Sequence, residues 1–141
     1  MSPSPSPAPG PGPAAPLTPN RLLEYAYSVL DDAPVGLAGR WPRAVALLGR
    51  QALEGTLNQL WQARRVKIGW ANERVQLLCL PIILGNRRLA ADAALAWSGL
   101  SRACHQHPYD LAPTAGELAA WLDTVDELRR AVAYASESAP T

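Results

Sequence analysis

With 141 residues, a formal net charge of +1, two cysteines and no phenylalanine, the chain fits one domain. No run of 18 consecutive apolar residues occurs, which excludes a membrane-spanning helix. Two cysteines without paired spacing exclude a disulfide scaffold and predict a reduced, cytoplasmic protein.

Residues 1–17 hold seven of the fourteen prolines, carry no charged side chain, and have almost nothing to bury. Such composition predicts a disordered, polyproline-like tail, and without a basic start and an apolar run it is no signal peptide. The remainder is rich in Ala and Leu and poor in β-branched residues, which predicts helix. The helical domain is expected over 18–135, with 136–141 frayed.

In chain order, Thr18 as N-cap and Pro19 at the first helical position open a first helix. Its apolar stripe is Leu22, Ala26, Val29 and Leu30, with Leu23 and Tyr25 at the edges, and Pro34 ends it. Trp41-Pro42 begins a second helix running to about Arg65. Val45, Leu48, Ala52, Leu53, Leu57, Leu60 and Trp61 form its core face, while Gly49 and Gly55 offer close packing. After a break over 66–70, the apolar run of 72–84 reads as a helix that Pro81 should kink or split.

Asn86 to about His107 has the cleanest periodicity, with Leu89, Ala93, Ala96, Trp97, Leu100 and Cys104 at core spacing. Pro108 forces a turn. Thr114 and Glu117 form a capping box for the last helix, whose inner face is Leu118, Trp121, Leu122, Val125, Leu128 and Val132. Fraying is expected from Ala133 onward. The sum predicts an all-α, antiparallel bundle of four to five helices.

Charge is unevenly placed. Seven basic residues between Arg40 and Arg74 oppose only Glu54 and Glu73, whereas from Asp110 onward six acids face two arginines. The basic half, with Arg64, Arg65 and Lys67 at its densest point, suits a phosphate backbone, or forms ordinary solvated helix faces.

The window Ser101 to Tyr109 holds both histidines, one cysteine, an arginine and a tyrosine. An imidazole moves protons near neutral pH and a guanidinium holds a phosphate, a pair suited to phosphodiester cleavage by a ribose 2′-hydroxyl without metal. On an ideal helix Arg102 shares a face with His105 and Gln106 but not with His107, five residues on. Pro108 pushes His107 out of helical geometry, and a second copy of the chain could complete the site. Cys104, His105 and His107 lack a fourth metal ligand, and Cys104 fits the core stripe. A nucleophilic Cys104–His pair stays open, though no orienting acid or amide is near in sequence.

The spacing of Arg102, His107 and Tyr109 (arginine, four residues, histidine, one residue, tyrosine) resembles the signature of HEPN-domain proteins. The likeness is to the HEPN toxins paired with a minimal nucleotidyltransferase antitoxin. It covers most of the chain as architecture but about eight residues as motif. The resemblance implies a metal-independent endoribonuclease without cofactor, active as a homodimer whose two motifs meet in one cleft. Arg102 and His107 would then be the catalytic pair, and Tyr109 matches the position that the nucleotidyltransferase can modify with AMP. One departure is Ala103, where many active members carry Asn, Asp or His; His105 is the polar group expected to support the same face.

Three functions follow as expectations. The first is a HEPN-type ribonuclease acting on RNA in toxin–antitoxin or phage-defence biology. The second is a non-catalytic HEPN-like module binding RNA, a nucleotide or a partner protein. The third is a plain helical interaction protein.

Overall fold

The computed structural model describes residues 2–8, 10, 17–37, 39–105 and 109–138. Among them there are five α-helices, one 3-10 turn at Val35–Leu37, and no strand. The helices are α1 (Pro19–Asp31), α2 (Trp41–Arg64), α3 (Glu73–Leu84), α4 (Arg87–Cys104) and α5 (Ala115–Glu137). The tail residues described are exposed and without regular structure.

Every start but that of α2 carries a side-chain cap, and α2 has Pro42 in its first turn. The Thr18 hydroxyl accepts from the Arg21 amide at 3.3 Å, and Pro19 stands in the first turn. Asn72 and Asn86 cap α3 and α4, each accepting a backbone N–H three residues on at 3.1 Å. The expected box forms at α5: Thr114 Oγ1 accepts from the Glu117 amide at 3.1 Å, and Glu117 Oε1 accepts from the Thr114 amide at 3.2 Å. Arg40, at the head of α2, makes no side-chain cap. Left-handed residues close α2 and α3: Gly85 at φ 72° and, at a steric cost that glycine avoids, Arg65 at φ 55°.

Helices α2 and α5 form the central pair, each packed against α1 and α4, while α3 lies outside, chiefly on α4. Arg88 pairs with Glu127, and Gly99 meets Trp121, so α4 and α5 run antiparallel. Helix α3 is tied to α2 by a buried amide: Trp61 Nε1 donates to Gln76 Oε1 at 2.8 Å, and Gln76 Nε2 donates to the Ala71 carbonyl at 2.9 Å. With both ends of the amide satisfied, its burial carries no desolvation penalty for a lost partner.

Leucines fill the core, with Leu53, Leu57, Leu60, Leu80, Leu100, Leu118, Leu122 and Leu128 fully buried. In place of phenylalanine, Trp41, Trp61, Trp97 and Trp121 supply aromatic bulk. Two glycines set the helix spacing. A Cβ on Gly49 would come within 2.8 Å of Leu122 Cδ2, and one on Gly99 would enter the Trp121 indole.

Four sequence expectations need correction. Leu23 is core, 2% exposed, and not an edge residue. Of the kink or split expected at Pro81, the split does not occur: α3 runs unbroken from Glu73 to Leu84, without the bond that residue 81 would donate to Leu77. Helix α4 stops at Cys104, three residues short of His107. Helix α5 continues to Glu137, past both Ala133 and residue 135, because Val132 is buried and Ser136 Oγ donates to the Val132 carbonyl at 2.9 Å. Among the described residues no helix is long and apolar enough to cross a membrane.

Candidate functional site

The window singled out in the sequence falls at the end of α4 and in the loop to α5. His107, with Gln106 and Pro108, lies outside the described residues. Arg102 is exposed in the last turn of α4 and lines a cavity of about 460 Å³. The cavity walls come from Gly99 and Ala103 on α4, the loop from Asp110 to Pro113, and Glu117 and Trp121 on α5. Two carboxylates, Asp110 and Glu117, therefore share this cavity with the guanidinium. Tyr109 is 99% exposed in the loop that leads to α5. Ala103 is 5% exposed, belongs to the core, and lines the Arg102 cavity.

His105, expected to support Arg102, contacts Arg50. It is the residue that ends α4, at φ −108° and ψ 25°, so the three-apart rule of a regular helix no longer applies. Its Nε2 lies 3.4 Å from Arg50 Nη1 on α2, and it is not part of the Arg102 cavity.

Arg50 is the group that the sequence did not single out. Its guanidinium carbon sits 4.5 Å over the Trp97 ring, and its Nε reaches Glu54 Oε1 at 3.3 Å. Only the Glu54 contact had a signal, the four-residue spacing on a helix; His105 is 55 residues away. Cys104, beside it, is buried, and burial pushes its thiol pKa up, with Arg50 and Arg43 opposing that rise. A raised thiol pKa disfavours the thiolate that a nucleophile needs. The described residues contain no cluster of three or more Cys, His, Asp or Glu arranged to hold a metal.

Arg64, Arg65 and Lys67 are exposed at the other end of α2. Fourteen residues of helix separate Arg64 from Arg50, about 21 Å along the axis. The basic turn and the Arg102 window are thus distinct surfaces within one chain. The fold defines the class, an all-α helical bundle. Comparison with protein-family models, with curated proteins and with solved structures returns no match.

Proposed function

We propose that the protein is a metal-independent endoribonuclease of HEPN type, cytoplasmic and dimeric, in toxin–antitoxin or phage-defence biology. The observation that carries the reading is the exposed Arg102 guanidinium over an open cavity at the end of α4, with Tyr109 fully exposed in the loop that follows. In this reading Arg102 holds the scissile phosphate. His107 acts as general base or acid for attack by the ribose 2′-hydroxyl, and a second protomer brings its own pair into the same cleft. Arg64, Arg65 and Lys67 contact the RNA backbone farther along.

Tyr109, at 99% exposure, is accessible to a nucleotidyltransferase antitoxin. A transferred AMP would set negative charge and bulk beside the cleft and repel RNA. Incubating the purified chain with total RNA in EDTA tests the reading. Cleavage by the wild type that is lost in His107→Ala and Arg102→Ala is the expected result. No cleavage, or equal cleavage by His107→Ala, overturns it.

A second reading, a non-catalytic helical module binding RNA, a nucleotide or a partner protein, has its own support. Asp110 and Glu117 share the Arg102 cavity, and position 103 is a buried alanine. This reading expects RNA binding that weakens with salt and yields no product.

A further inference from the structure

We propose that Trp70 is a stacking platform for an unpaired base, so that the α2–α3 turn binds single-stranded nucleic acid; this deepens the RNA-binding part of the reading above and does not need its catalytic part. Trp70 is 86% exposed, an unusual position for the largest apolar side chain. Its indole is held in place, because Nε1 donates to the Lys67 carbonyl at 3.0 Å. The single polar atom of the ring is therefore satisfied within the turn, and the faces are left for contact.

The turn itself is built and anchored. Ile68 and Ala71 are buried on either side of Trp70, and the Ala71 amide donates to the Ile68 carbonyl at 2.9 Å. The Ala71 carbonyl is held by Gln76, which in turn holds Trp61. At the other end the Val66 amide donates to the Trp61 carbonyl at 2.9 Å, and Arg65 takes the left-handed conformation.

Charge selects the ligand. Arg64, Arg65 and Lys67 are exposed beside Trp70, none forms an ion pair among the described residues, and no acid occurs between Gln62 and Asn72. An aromatic face with cations to follow the backbone is the chemistry by which proteins hold single strands without reading sequence. A duplex offers phosphates but hides its base faces, so it would use the cations and not the indole.

The test uses the full chain and a fluorescein-labelled oligodeoxyuridine at low salt. That probe lacks the 2′-hydroxyl which cleavage would need, so binding is read whether or not the ribonuclease reading survives. Trp70→Ala is expected to weaken binding by about fivefold to a hundredfold, the range for losing one stacked base. Trp70→Tyr should stay within about threefold of wild type, because a ring face remains although the indole N–H is gone. A duplex of equal length should bind the wild type and Trp70→Ala alike. Circular dichroism checks that the exposed substitutions leave the helices intact. Unchanged oligonucleotide binding by Trp70→Ala overturns the proposal, as does Trp70→Tyr binding no better than Trp70→Ala. A Trp70-dependent association with phosphatidylserine vesicles, with the oligonucleotide unaffected, overturns it too and assigns the turn to a membrane surface.

Discussion

Arg50 and His105 come from residues 55 apart in sequence and meet with Nη1 3.4 Å from Nε2, while the same guanidinium lies over Trp97. The arginine joins α2 to α4 at Trp97 and at His105, the residue that ends it. Replacing it with alanine removes a cation–π contact worth about 1–2 kcal/mol when partly desolvated. The pair with Glu54, whose side chains are 25% and 35% exposed, adds well under ~1 kcal/mol. Arg50→Ala should therefore lower stability by about 1–2 kcal/mol in urea unfolding. A cycle with Trp97→Leu should give a coupling of about 1 kcal/mol; additive effects would show that the ring contact contributes nothing.

Gly99→Ala should destabilise the protein, although alanine favours helix by about 1 kcal/mol over glycine. The new methyl would overlap the Trp121 ring, which is rigid and must move as a whole. Overpacking of this kind costs about 1–3 kcal/mol. A shifted urea midpoint in Gly99→Ala, reduced when Trp121→Leu is added, is the expected pattern.

Gln76→Ala should cost about 1–3 kcal/mol, because it leaves the buried Trp61 indole N–H without its acceptor and the Ala71 carbonyl without its donor. The same bonds brace the turn that presents Trp70. Faster amide hydrogen exchange confined to 65–72 would separate this local effect from global unfolding.

Tyr27 donates to Asp123 Oδ1 at 2.6 Å, and burial, followed by that carboxylate, drives its phenol pKa well above the usual 10.0. A raised folded-state value means that the contribution is fully present below pH 10, the unfolded pKa, and is lost as pH rises above it. The buried Cys104 thiol acts in the same direction from about pH 9. Stability should therefore fall in the alkaline range. Tyr27→Phe should flatten the part of that fall above pH 10 and cost about 1 kcal/mol near neutrality. An unchanged alkaline slope in Tyr27→Phe would remove the phenol from the explanation.

Local patterns decided the helices. Thr18, Thr114 with Glu117, and the apolar periodicity of α2, α4 and α5 are short-range chemistry, and each acts as its spacing implies. Where the sequence misled, a longer-range interaction prevailed. Leu77 and Leu80 are buried on α3, which runs through Pro81, and Ser136 Oγ donates to the carbonyl of the buried Val132 near the end of α5. Arg102 and Tyr109 were legible as exposed groups in one window, but the cavity that Arg102 lines is closed by Glu117 and Trp121 of α5, which no local pattern places there.

The sequence by itself determined an all-α chain, its helix starts, and the separation of a basic first half from an acidic end, because propensity, capping and charge reside in neighbouring residues. Only the tertiary structure decided that His105 meets Arg50, and that Ala103 and Cys104 are core. It also decided that Trp70, alone of the five tryptophans, stands out in solvent. Those are choices of which side chain faces which neighbour, and they follow from how helices pack across tens of residues, not from the order of residues along any one of them.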